Sequence, residues 1–161
     1  MNIFFLDKSP EKAAQYQCNK HVIKMILESC QLLCTAHHIL GTKSLPDKFY
    51  RATHINHPCS KWVREAKENY SWLAQHCIHL CNEYTYRYNK IHASNDLAVW
   101  LFCNIPPIKN VEMTEAPKCM PEEFKVENDI VQSYRNYYIL DKQKNIKCQW
   151  TNRLKPEWLN Y

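Results

Sequence analysis

The segment KHVIKMILESCQLLCTAHH, residues 20–38, sets Lys20, His21, Lys24, Glu28, Gln31, Thr35 and His38 into an otherwise apolar run. At about 100° per residue, with Lys24 as origin, all of these fall within an arc of roughly 100°. By the same geometry Lys20, His38 and Gln31 stand to one side of Lys24, and Thr35, Glu28 and His21 to the other. No apolar side chain falls inside that arc. Amines, imidazoles and one carboxylate on a single helix face are the groups that acid–base or nucleophilic chemistry draws on. Glu28 is the candidate acid/base. Lys24, Lys20 and His21 are candidates for charge or nucleophile, and Gln31 for substrate contact. A surface helix usually shows the reverse pattern, an apolar stripe about this wide on a polar cylinder. This helix should therefore be central, with its polar groups facing a narrow slot. The competing reading is a solvated edge, with Lys24 and Glu28 as an ordinary i, i+4 pair worth a few tenths of a kcal/mol.

Arg51, His54, Asn56 and His57 cluster just ahead of a second helical pattern. Asn56 or His57 can cap that helix, with Pro58 in its first turn. As functional groups, Arg51, Asn56, His57 and the nearby Trp62 would flank the slot and bind. His21, His54 and His57 lack the H-x-x-x-H or H-E-x-x-H spacing, and there is no C-x-x-C, so neither a metal nor a cofactor is expected.

The elements that must hold these groups are helical. Ser9-Pro10-Glu11 is a helix start, and the pattern runs, with a break near Gln17–Asn19, to Leu40 and Gly41. From Trp62 to Tyr88 apolar residues recur every three or four positions, as one long helix or two stacked ones. A shorter helix follows from Ser94 or Asn95 to Cys103, and a last one from Asn128 or Asp129 to about Leu140. Residues 2–7, NIFFLD, read as a short apolar, strand-like lead-in buried beneath helices. The expected fold is all-α: a single compact domain over residues 1–161, of about five helices, with that lead-in and an irregular C-terminal tail.

Composition narrows the function. Gly41 is the only glycine in 161 residues, which removes the P-loop, the dinucleotide fingerprint and glycine hairpins. The nine cysteines are odd in number and scattered through helical segments, with Cys30/Cys34 and Cys77/Cys81 at core spacing, which suits reduced thiols in a cytoplasmic protein. No apolar stretch approaches membrane-spanning length, and MNIFFLDKSPEK does not read as a signal peptide. A net charge of +5 is compatible with nucleic acid or a phosphorylated ligand. Glu83 and Arg87 read as an ion pair. In the tail, Lys147, Trp150, Arg153, Lys155 and Trp158 form either a basic-aromatic strip for nucleic acid or a segment pinned to the body by tryptophans.

The order Lys20…Lys24…Glu28…Gln31-Leu-Leu33, His57-Pro58…Trp62, Tyr70…Leu73, Glu83…Arg87 resembles a family of short helical phage and bacterial proteins. That family is distantly similar to the pyrimidine-dimer DNA glycosylases. The resemblance implies an amine that attacks the sugar C1′ and a glutamate on an early helix, which Glu28 matches. The glycosylases use their own α-amine after methionine removal; Asn2 is large enough for Met1 to be kept, so Lys20 or Lys24 would substitute. A hydrolytic route, with Glu28 activating water, needs no amine. The expected function is base excision on a modified or damaged base, with or without a lyase step, in a bacterial cytoplasm. The alternative is a non-catalytic helical module that binds a nucleotide or small phosphorylated ligand. DNA or nucleotide is the expected partner, with no membrane.

Overall fold

The computed structural model describes residues 1–160. Helix α1 spans Pro10–Tyr16, α2 Asn19–Leu40, α3 Pro58–Val63, α4 Lys67–Tyr88, α5 Asn95–Cys103 and α6 Ile130–Tyr137. Helix α6 runs on through a π-helical turn, Tyr138–Lys142, and a last α-turn, Gln143–Asn145. The described residues contain no strand, only an isolated bridge between Val126 and Asp129. The protein is an all-α single domain. No helix among the described residues is long and apolar enough to cross a membrane.

The two 22-residue helices, α2 and α4, form the centre. Helix α2 packs on α3, α4 and α5, and α4 also covers α1. The seam carries small buried thiols, with Cys30 Sγ 3.6 Å from Cys77 Sγ. All nine cysteines are unpaired by disulfides, and burial pushes the Cys34 thiol up to about 12.

The break between α1 and α2 has a specific cause. Gln17 is extended, which frees the last carbonyls of α1 from their helical partners. The buried Arg87 supplies the missing donors, to Gln15 O at 3.0 Å and Gln17 O at 2.8 Å. Its own charge is met by Glu83 at 3.0 Å. Glu83 also accepts from Arg153, so the tail closes over this network. The tail is pinned further by the Trp150 indole N–H, which donates to Tyr16 O at 3.0 Å. Gly41 ends α2 at φ 74°, a left-handed conformation that a side chain would resist.

Residues 3–6 are buried under the helices, as expected, but in a tight turn rather than a strand. Asn2 Oδ1 accepts from the N–H groups of Ile3 at 2.8 Å and Phe4 at 3.1 Å, and Phe4 takes a positive φ of 48°. The Phe4 ring stacks on His21 of α2 at 4.2 Å and meets the α6 tyrosines. Phe5 stacks on Trp72 at 4.2 Å. This packing delivers the first residues of the chain to the polar face of α2.

Candidate active site

The face of α2 divides along its length. Lys20, Lys24 and His38 are exposed, together with Ile23 and Leu27, while His21, Glu28 and Thr35 are buried. The polar arc is therefore half solvated edge and half slot, and the N-terminal turn fills the slot.

Glu28 is the centre. Its Oε2 accepts from the Asn2 backbone N–H at 3.0 Å and lies 3.7 Å from the Met1 amine; its Oε1 lies 3.3 Å from Lys24 Nζ. The Glu28 side chain is 10% exposed and that of Lys24 65%. Met1 is half-buried as a residue although its side chain is only 3% exposed, so its exposed atoms are largely main chain. The side chain is packed against the core and the amine lies beside the carboxylate. Asn2 holds this arrangement from every polar atom of its side chain, since Nδ2 donates to Cys119 O at 2.9 Å.

The segment before α3 is strapped to the next turns of α2. Thr35 Oγ1 accepts from Thr53 N–H at 3.1 Å and shares its one proton between Gln31 O at 2.7 Å and Thr53 O at 3.1 Å. His38 Nε2 donates to Tyr50 O at 2.9 Å. Arg64 donates to Ile55 O at 2.8 Å. These bonds tie residues 50–55, which carry Arg51 and lead to Asn56 and His57, to α2 at Thr35 and His38 and to Arg64. Arg51 and Asn56 are exposed; Gln31 and His57 are half-buried. His57 is the N-cap of α3, its Nδ1 accepting from Cys59 N–H at 3.2 Å. Burial, then the charge of the Met1 amine, then that of His54 hold its imidazole below the ordinary value, against the pull of Glu28. The shift favours the neutral imidazole.

Several anticipated groups lie elsewhere. Lys20 stands two turns before Glu28, about 12 Å along the axis. His21 is enclosed by Phe4 and bonded to the Tyr138 hydroxyl. Trp62 is a core residue, its indole N–H donating to Thr114 O at 3.1 Å and its ring edge-on to Phe5 and Trp72. His21 and Trp62 support the N-terminal turn from below and do not line the cluster.

Two groups had no prominence in the sequence. Cys59 Sγ and Cys119 Sγ lie 3.5 Å apart, with His57 beside them. Their hydrogen bond pushes the Cys59 thiol up and holds Cys119 below the usual thiol value. Beyond Cys119 opens a depression of about 520 Å³, bordered by Pro58, Pro117, Lys118, Met120 and Lys125. The only sequence signal was the H-x-C of His57 and Cys59; Cys119 is too distant along the chain to form a motif.

Fold and site together define a helical protein whose early-helix carboxylate meets the amine of the first residue. A family model described as pyrimidine dimer DNA glycosylase matches residues 1–96, and the chain belongs to that family. The matched span holds Met1, Lys24, Glu28, His57 and Cys59, while Cys119, α6 and the tail lie outside it. No curated protein and no solved structure matches the chain.

Proposed function

We propose that the protein is a DNA glycosylase acting on pyrimidine dimers or related damaged bases, with the Met1 α-amine as nucleophile. The observation that carries this reading is the Met1 amine 3.7 Å from a buried Glu28, with the Met1 side chain anchored and its main chain exposed. Family membership supports it independently.

In the reaction the neutral amine attacks C1′, and the base leaves with the bonding pair and takes up a proton. The amine then gives up a proton to Glu28. Opening of the C1′–O4′ bond, with protonation of O4′, leaves an imine between Met1 and C1′. Abstraction of a C2′ proton expels the 3′-phosphate and cuts the strand. Glu28 manages protons and stabilises positive charge at the sugar. Lys24 and, farther along α2, Lys20 meet backbone phosphates. His57 is a neutral hydrogen-bonding group at the mouth, flanked by Gln31, Asn56 and Arg51. His21 and Trp62 act as positioning residues beneath the turn.

The test is a duplex carrying one cyclobutane pyrimidine dimer, incubated with and without borohydride. Lesion-dependent cleavage and a borohydride-trapped adduct support the reading. Absence of both on dimers, abasic sites and a panel of other base lesions refutes it.

A further inference from the structure

The pair Cys59–Cys119 has no part in the reaction just described, yet it adjoins the N-terminal turn, where Asn2 Nδ2 donates to Cys119 O at 2.9 Å. We propose that His57, Cys59 and Cys119 form a binding site for a thiophilic divalent cation of the zinc class, which staples the irregular segment around Cys119 to the start of α3.

Three observations carry this. The ligand atoms of all three residues lie within 4.8 Å of one another. The two sulfurs are 3.5 Å apart. Tetrahedral coordination with Zn–S bonds of about 2.3 Å would place them roughly 3.8 Å apart, whereas a disulfide needs about 2.05 Å. The pair is thus close to zinc spacing and well beyond bonding distance. The third is His57 itself: its Nδ1 presents a lone pair, now accepting from Cys59 N–H at 3.2 Å. A soft cation would take that lone pair in the donor's place. Two thiolates and an imidazole are a ligand set that suits zinc, with the fourth position left for water. Binding replaces two thiol protons, which pass to solvent, and involves no redox change.

The site has a structural consequence. Cys119 lies between α5 and α6 in a stretch with no regular structure, and its carbonyl receives Asn2 Nδ2 at 2.9 Å. A cation joining Cys119 to Cys59 would fix this stretch against α3 and, through Asn2, steady the N-terminal turn.

The experiment titrates reduced, metal-free full-length protein with Zn²⁺ and with Co²⁺. One equivalent should bind, with a thiolate-to-cobalt charge-transfer band and a rise in Tm. Alkylation of the half-buried Cys119 should be suppressed by Zn²⁺, while that of the exposed Cys103 is not. Cys59→Ser and Cys119→Ser should each weaken binding by more than the roughly 10- to 100-fold expected for loss of an outer-shell partner. Cys103→Ser should bind as wild type. The alkylation arm uses the unaltered chain, so it stands even if a serine variant folds poorly. Unchanged alkylation of Cys119, or stoichiometric binding retained in both serine variants, overturns the proposal. Formation of a Cys59–Cys119 disulfide in a protein that binds no Zn²⁺ also overturns it. None of these readouts involves DNA, so they stand or fall separately from the glycosylase reading.

Discussion

Replacing Glu28 by Gln keeps the shape of the side chain and an acceptor for the Asn2 N–H, but removes the charge between Met1 and Lys24. Each ion pair at about 4 Å contributes about 1 kcal/mol in water and about 4 kcal/mol at an effective dielectric constant near 20. Lys24 is 65% exposed, so its pair belongs at or below the lower figure. The Met1 pair, against a carboxylate only 10% exposed, lies between the limits. The expected net loss is about 2 kcal/mol, or roughly 4–8 °C in Tm for a chain of this size. Lys24→Ala, which leaves the Met1–Glu28 pair intact, should cost no more than about 1 kcal/mol. On a dimer-containing duplex, Glu28→Gln should lower single-turnover cleavage by about 10²–10⁴. Thermal denaturation and cleavage are measured on the same preparation. Wild-type cleavage by a Glu28→Gln protein that has lost the expected stability would show that the carboxylate serves only to dock the N-terminus.

Other consequences follow from the same contacts. Burial lowers the imidazoles of His37 and His76 to about 4. Because the unfolded chain binds protons below about 6.5 and the folded chain does not, their stabilisation is complete above that pH and is lost as pH falls toward 4. At pH 5 this amounts to about 2 kcal/mol per histidine, which urea unfolding at pH 7.5 and 5 would register; a flat profile would contradict it. Glu83→Gln leaves the buried Arg87 without its carboxylate and Arg153 with only the Tyr86 ring, and should cost about 3–5 kcal/mol by chemical denaturation. Thr35→Val removes both bonds to Thr53 and should speed amide hydrogen exchange in residues 50–57, with little change in α4.

Much of the architecture follows from local chemistry that a sequence displays. Helical periodicity, Ser9-Pro10, His57-Pro58, Asp129 and Gly41 mark helix ends that the structure places within a residue or two. The break before Asn19 was visible, but not its cause, because Arg87 answers carbonyls some seventy positions away. The tryptophans of the tail read as a nucleic-acid strip or, slightly better, as pins, and the structure engages Trp150 and Trp158 with the body. The polar arc of α2 was also legible, but its division was not. Angles around one helix cannot show that Phe4 closes over His21 while Lys24 stays in water. The α-amine enters only through the family resemblance and is set aside there because Asn2 keeps Met1 in place. A main-chain group has no residue type to notice, and Asn2 directed attention to lysines. Cys59 and Cys119 likewise meet only through the tertiary fold.

Which nitrogen bears the sugar decides whether Met1 is the nucleophile. Borohydride trapping on a dimer-containing duplex, followed by nuclease and protease digestion and mass spectrometry, locates it. The adduct is expected on the α-amine of Met1, and should be lost when an N-terminal extension blocks that amine without changing the fold. An adduct on Lys20 or Lys24, or trapping undiminished by the extension, would contradict it.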